Sequence, residues 1–183
     1  MGGQQVSKIQ TTRDDHLIAG LAALAITIHI AESALPSPLP GVKPGLANVV
    51  TLMVLYRFGW SAAAWVALLR VLVGSILIGT FLSPAFFLSA SGALASVLVL
   101  GGLHVFSQQV PAWRIGPLGL GVAAATAHMS GQFWVAYILF VPHQGILTLY
   151  PLLMTLAAGL GILGGLLTQK LLEPLKDVKN ESC

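Results

Sequence analysis

The few residues of this chain that could do chemistry are scattered through apolar surroundings. Arg70 lies ten residues into an apolar stretch that opens at Trp60. At a helical rise of about 1.5 Å per residue it falls roughly 15 Å deep, near the middle of a bilayer. An arginine at that depth costs about 2.5–3.5 kcal/mol on insertion scales, so it needs a cavity or a partner. Two readings stay open: a clamp on backbone carbonyls or a carboxylate, and an anchor for an anionic or polar ligand group. Glu32 is the only acid between Asp15 and Glu173. Its candidate partners are Arg70 and Lys43, and a plain loop tether is the competing reading. His29, Glu32 and Ser33 stand at i, i+3 and i+4, so they share one helical face that should turn inward.

His128 and Gln132, at i and i+4, repeat that arrangement, and Gly131 beside them would leave room for a ligand close to the backbone. Ligand lining, a core hydrogen-bond pair and a metal site are the three readings of this pair. The last would require two histidines and a carboxylate, and the chain has no H-x-x-x-H spacing. Asn48 either caps a helix or bonds the loop before it. His104 and His143 read as interfacial.

The elements that must position these groups are membrane helices. Of 183 residues, 56% are hydrophobic and 8% charged, with a mean hydropathy of +0.85. A soluble domain carries roughly a quarter of its residues as charges, so lipid is the solvent this composition fits. The small excess of bases does not point to nucleic acid. Residues 1–16 read as a polar tail. A first apolar segment runs from Leu17 to about Leu35; despite its likeness to a signal peptide it reads as a retained helix, because His29 and Glu32 interrupt it. Further segments cover about Gly45–Phe58, Trp60–Leu82, Pro84–Phe106, Leu118–Val141 and Ile146–Leu172. Trp113 and Arg114 mark an interfacial turn, and Pro142-His143-Gln144-Gly145 breaks the fifth segment from the sixth.

The expectation is an all-α polytopic membrane bundle of six transmembrane helices over 17–172, with tails at 1–16 and 173–183. The loop 33–47 holds four of the ten prolines and reads as a cap that closes a cavity. Seven of the nine Lys and Arg fall on one side, with Lys43 alone on the other and Arg70 within. The positive-inside rule then places both termini in the cytoplasm and the capping loop outside.

Small residues recur at four-residue spacing, which lets helices approach closely. Gly121/Ala125 and Ala157/Gly161/Gly165 read as internal packing. Ala19, Ala23 and Ala31, with Thr27 filling the gap, read either as packing or as a docking face for another membrane subunit. The single cysteine, Cys183, allows no internal disulfide and reads as part of a solvated tail. No G-x-x-x-x-G-K-[ST] is present, no paired Asp-rich clusters occur, and no nucleophile–base set can be assembled. The chain therefore reads as non-catalytic, with no cofactor and no metal.

Three stretches carry a resemblance. They are Glu32-Ser-x-x-Pro-x-Pro-x-Pro-Gly-Val-Lys-Pro-Gly-Leu-Ala-Asn48, Leu69-Arg70-Val-Leu-Val-Gly74-Ser and Ala127-His128-Met-Ser-Gly-Gln132. Across about residues 17–170 the chain resembles the "Gx transporter" family, also labelled heptaprenyl diphosphate synthase component I. That family is similar to the six-helix substrate-binding (S) components of energy-coupling factor transporters. The resemblance implies a multi-pass protein of the bacterial cytoplasmic (inner) membrane, with separate ATPase and coupling subunits as partners. It implies a small-residue docking face on the first helix, and Glu32, Lys43, Asn48, Arg70, His128 and Gln132 as the substrate site. Met129 stands where the family often has Asn, which makes the polar patch smaller.

On this reading Arg70 and Lys43 engage an anionic or carbonyl group, His128 and Gln132 give directional hydrogen bonds, and Glu32 holds the closed loop. The alternative is a non-catalytic membrane accessory subunit of a polyprenyl (heptaprenyl) diphosphate synthase, or of a related isoprenoid or redox-cofactor pathway. A self-contained secondary transporter ranks last, since six helices leave little room for inverted repeats.

Overall fold

The computed structural model describes residues 13–34, 46–110 and 115–181. Six α-helices follow one another: α1 (Arg13–Ala34), α2 (Leu46–Phe58), α3 (Trp60–Ile78), α4 (Pro84–Gln109), α5 (Pro117–Val135) and α6 (Tyr150–Glu181). Lys43, most of the proline-rich loop and the Pro111–Arg114 turn lie outside the described residues.

Local chemistry sets the helix ends. Gly79 takes a left-handed conformation (φ 77°), its N–H bonding back to the Ile76 carbonyl, so α3 stops four residues before the Leu82 limit read from hydropathy. Ser83 then caps α4, its hydroxyl oxygen accepting from the Phe86 N–H, with Pro84 in the first turn. Gly59, at φ 88°, is the whole connection between α2 and α3. It lets the chain reverse within one residue.

The fifth apolar segment is a composite. Its α-helix ends at Val135 and continues as a five-residue π-helix, Ala136–Phe140, closed by the Val141 N–H on the Ala136 carbonyl at 2.9 Å. After the Pro142 break, His143 Nδ1 accepts from the Gly145 N–H and starts a 3-10 helix, Gln144–Leu149, that leads into α6. At the other end of α6 the helix runs on to Glu181 and takes most of 173–183 into regular structure.

Packing joins α1 to α3, α3 to α4, α4 to α5, α5 to α6, α6 to α2 and α2 back to α1. The short α2 also touches α3 and α5, so it is the inner element. Its Val49, Val50, Leu52, Val54 and Leu55 are all buried. The ring of helices presents Trp65, Leu77, Leu98 and Leu163 outward, all more than half exposed, a surface suited to lipid.

Four helical stretches are long and apolar enough to cross a membrane: Asp14–Ser33, Trp60–Ile78, Pro84–Gln109 and Gln144–Glu173. Six such helices were expected. The two that fall short are α2, which is 13 residues long, and α5, which carries Thr126, His128, Ser130 and Gln132. Both pack against several other helices, and a helix facing protein rather than lipid can be short or partly polar.

The small-residue spacing in α5 and α6 is a backbone contact. A β-carbon on Gly121 would lie 2.6 Å from the Gly161 carbonyl oxygen, and one on Gly165 would lie 2.6 Å from Leu118 Cα. Side chains larger than hydrogen at these points would drive α5 and α6 apart.

Candidate functional site

The C-terminal halves of α1 and α3, the N-terminal halves of α2, α4 and α6, and one face of α5 meet around a cavity of about 70 Å³. Its polar wall is His29, Glu32, Asn48, Arg70, His128 and Gln132, and small residues, Gly121, Gly161 and Gly164, complete it. Five of the six expected substrate residues therefore line one space. The sixth, Lys43, is outside the described residues.

The inward turn of the α1 polar face accounts for one side. Ala22, Ala25 and Glu32 are buried, and Glu32 is only 6% exposed. Ser33 does not share the cavity; its hydroxyl donates to the His29 carbonyl at 2.7 Å. The His29 ring is accommodated by Gly74 of α3, where a β-carbon would stand 2.8 Å from His29 Cδ2.

Arg70 is 4% exposed. One of its terminal nitrogens donates to Asn48 Oδ1 at 3.1 Å, and the Glu32 carboxylate acts on the guanidinium through its charge. Asn48 Oδ1 is therefore an acceptor for Arg70, and the loop that Asn48 was expected to cap or bond lies outside the described residues. The Arg70 Nε–H has no hydrogen-bond partner among the described residues.

Facing it, Gln132 (9% exposed) directs Nε2 toward His128 Nε2 at 3.1 Å, and its Oε1 has no partner among the described residues. A buried polar group left unmet costs about 1–3 kcal/mol. Both atoms, one a donor and one an acceptor, belong to residues that line this cavity. Among the described residues no three His, Cys, Asp or Glu side chains come together as a metal-binding group would require.

The expectation for Gly131 is corrected. Its open face lies against α4, where a β-carbon would stand 2.7 Å from the Ser91 carbonyl oxygen and 2.8 Å from Ala95 Cβ, so it serves the α4–α5 contact rather than a ligand. The glycine that makes room at this site is Gly92, where a β-carbon would fall 2.8 Å from Gln132 Cγ and 2.9 Å from the His128 ring. Sequence reasoning missed Gly92 and the cavity-lining Ser89. Their i, i+3 spacing on α4 was the available signal, but both are too common in membrane helices to stand out. Above the pair, Ser130 Oγ and the Tyr150 hydroxyl lie 3.2 Å apart, and the Phe133 and Tyr150 rings lie 4.7 Å apart between centroids.

The stripe on α1 has the opposite character. Ala19, Ala23, Thr27 and Ala31 are all exposed, while the other face of the helix packs on α2 and α3.

These features define a helical protein of the membrane type with a small, buried polar cavity between its helices. The chain matches the family model described as heptaprenyl diphosphate synthase component I over residues 21–171, and it belongs to that family. No curated protein and no solved structure matches it.

Proposed function

We propose that this chain is a non-catalytic membrane subunit that holds a small polar ligand between Arg70 and Gln132. The observation that carries this reading is the pair of buried, unmet polar atoms, Arg70 Nε and Gln132 Oε1, at one cavity. Around them Asn48 fixes the guanidinium, His128 orients the carboxamide and Glu32 balances the arginine charge. The proline-rich loop between α1 and α2, with Lys43, is the proposed cover, its prolines reducing the freedom lost on closure. The orientation is both termini in the cytoplasm of a bacterial inner membrane and this loop outside.

The family description favours one setting, in which the chain is the membrane component beside a catalytic polyprenyl diphosphate synthase subunit. A second setting is uptake of a small molecule, with ATPase and coupling subunits supplied separately. One observation favours it: the small-residue face of α1, Ala19, Ala23 and Ala31, is left uncovered by the chain itself, which suits close docking of another membrane helix.

Purification from the native host in mild detergent, followed by mass spectrometry of co-eluting proteins, separates the settings. A prenyl synthase subunit supports the first, and a membrane coupling protein with ATPases supports the second. Ala23→Leu should remove the partner in the second setting and leave ligand retention unchanged. Arg70→Gln should abolish ligand retention while the protein still inserts; normal retention by that variant takes Arg70 out of the site.

A further inference from the structure

The walls of the cavity restrict the chemistry of what it holds. Arg70 and Glu32 are the formally charged side chains among its described lining residues, and they cancel. The described wall supplies no net positive charge to a ligand carrying two or more negative charges, and Lys43 of the proposed cover would offset only one of them, an arrangement that disfavours ion burial.

The hydrogen-bonding demand is complementary and mixed. Arg70 Nε offers a proton, while Gln132 Oε1 offers lone pairs. A bare anion answers the first and repels the second. A group with a carbonyl oxygen beside an N–H answers both and brings no charge.

We infer that the cavity recognises a net-neutral molecule through an amide, ureido or lactam edge, its carbonyl accepting from Arg70 and its N–H donating to Gln132, and that it excludes diphosphates. This rests on the reading of the cavity as a ligand site. It goes further in naming the class of ligand, and it makes the ligand something other than the charged substrate that a prenyl synthase consumes.

The test uses the full chain extracted from host membranes in mild detergent, with native mass spectrometry and chemical identification of any retained molecule. Thermal stabilisation by added uracil, 1,3-dimethyluracil and inorganic pyrophosphate is measured in parallel. The expected result is a retained neutral compound with a carbonyl next to an N–H, or stabilisation by uracil that its dimethyl analogue, lacking both N–H groups, does not give. Retention should drop about tenfold or more in Gln132→Leu. Because that variant could misfold, the comparison of uracil with dimethyluracil on the unaltered protein stands independently.

Retention of a diphosphate, or stabilisation by pyrophosphate in place of uracil, overturns this inference and leaves the ligand-site reading intact. A protein that retains nothing and responds to none of the three probes overturns both.

Discussion

Arg70 and Gln132 show how far single residues could be read. A lone arginine in an apolar helix and an i, i+4 polar pair announce themselves, because each is expensive to bury and therefore placed for a reason. The hydrogen-bond acceptor of Arg70 gave no such signal. Asn48 lies 22 residues before Arg70, and nothing local in either helix says that they meet. The glycines were harder still: Gly131 sits inside the polar motif yet serves helix contact, while Gly92, outside any motif, is the one that admits the His128 and Gln132 side chains. Adding one methyl group there should act on the site and hardly on the fold. Gly92→Ala should lower ligand retention several-fold by displacing the flexible Gln132 and His128 side chains, with membrane yield close to wild type. Unchanged retention, read by the same mass spectrometry, would mean that the pair does not touch the ligand.

At the scale of elements, hydropathy located all six helices, since long apolar runs are the strongest signal a membrane sequence carries, but it ended the sixth at Leu172 whereas α6 continues to Glu181. Three features were not legible in it. The end of α3 depends on the left-handed Gly79, while apolar residues continue past it. The π-helix after Val135 differs from an α-helix only in that its hydrogen bonds span one residue more, and it has no compositional mark. Which helices lie inside was also hidden, because α2 is surrounded through tertiary contacts. The α5–α6 seam gives a direct check on element packing. Gly161→Val should lower stability by about 1–3 kcal/mol through overpacking, since even a β-carbon there would stand 2.7 Å from Val122 Cα. Gly159→Val, two residues away with nothing within 4 Å, should change the thermal midpoint far less. Equal shifts would show that intrinsic helix preference, rather than contact, governs both sites.

For the whole molecule, the lone cysteine makes the proposed orientation measurable. With both termini in the cytoplasm, Cys183 should react with a membrane-impermeant maleimide only after the cells are permeabilised. In a Cys183→Ser background, Ser37→Cys in the proline-rich loop should react in intact cells. The reverse pattern would invert the molecule and place the cavity on the cytoplasmic side. A further consequence comes from the single guanidinium and single carboxylate among the described residues that line the cavity. A charge moved through a membrane field changes in energy by about 2.3 kcal/mol per 100 mV. When a neutral guest settles between two charges that cancel, no net charge moves through that field. Reconstituted vesicles held at diffusion potentials of either sign should therefore load the ligand equally, leaving the cell's membrane voltage neither an aid nor an obstacle to filling the site.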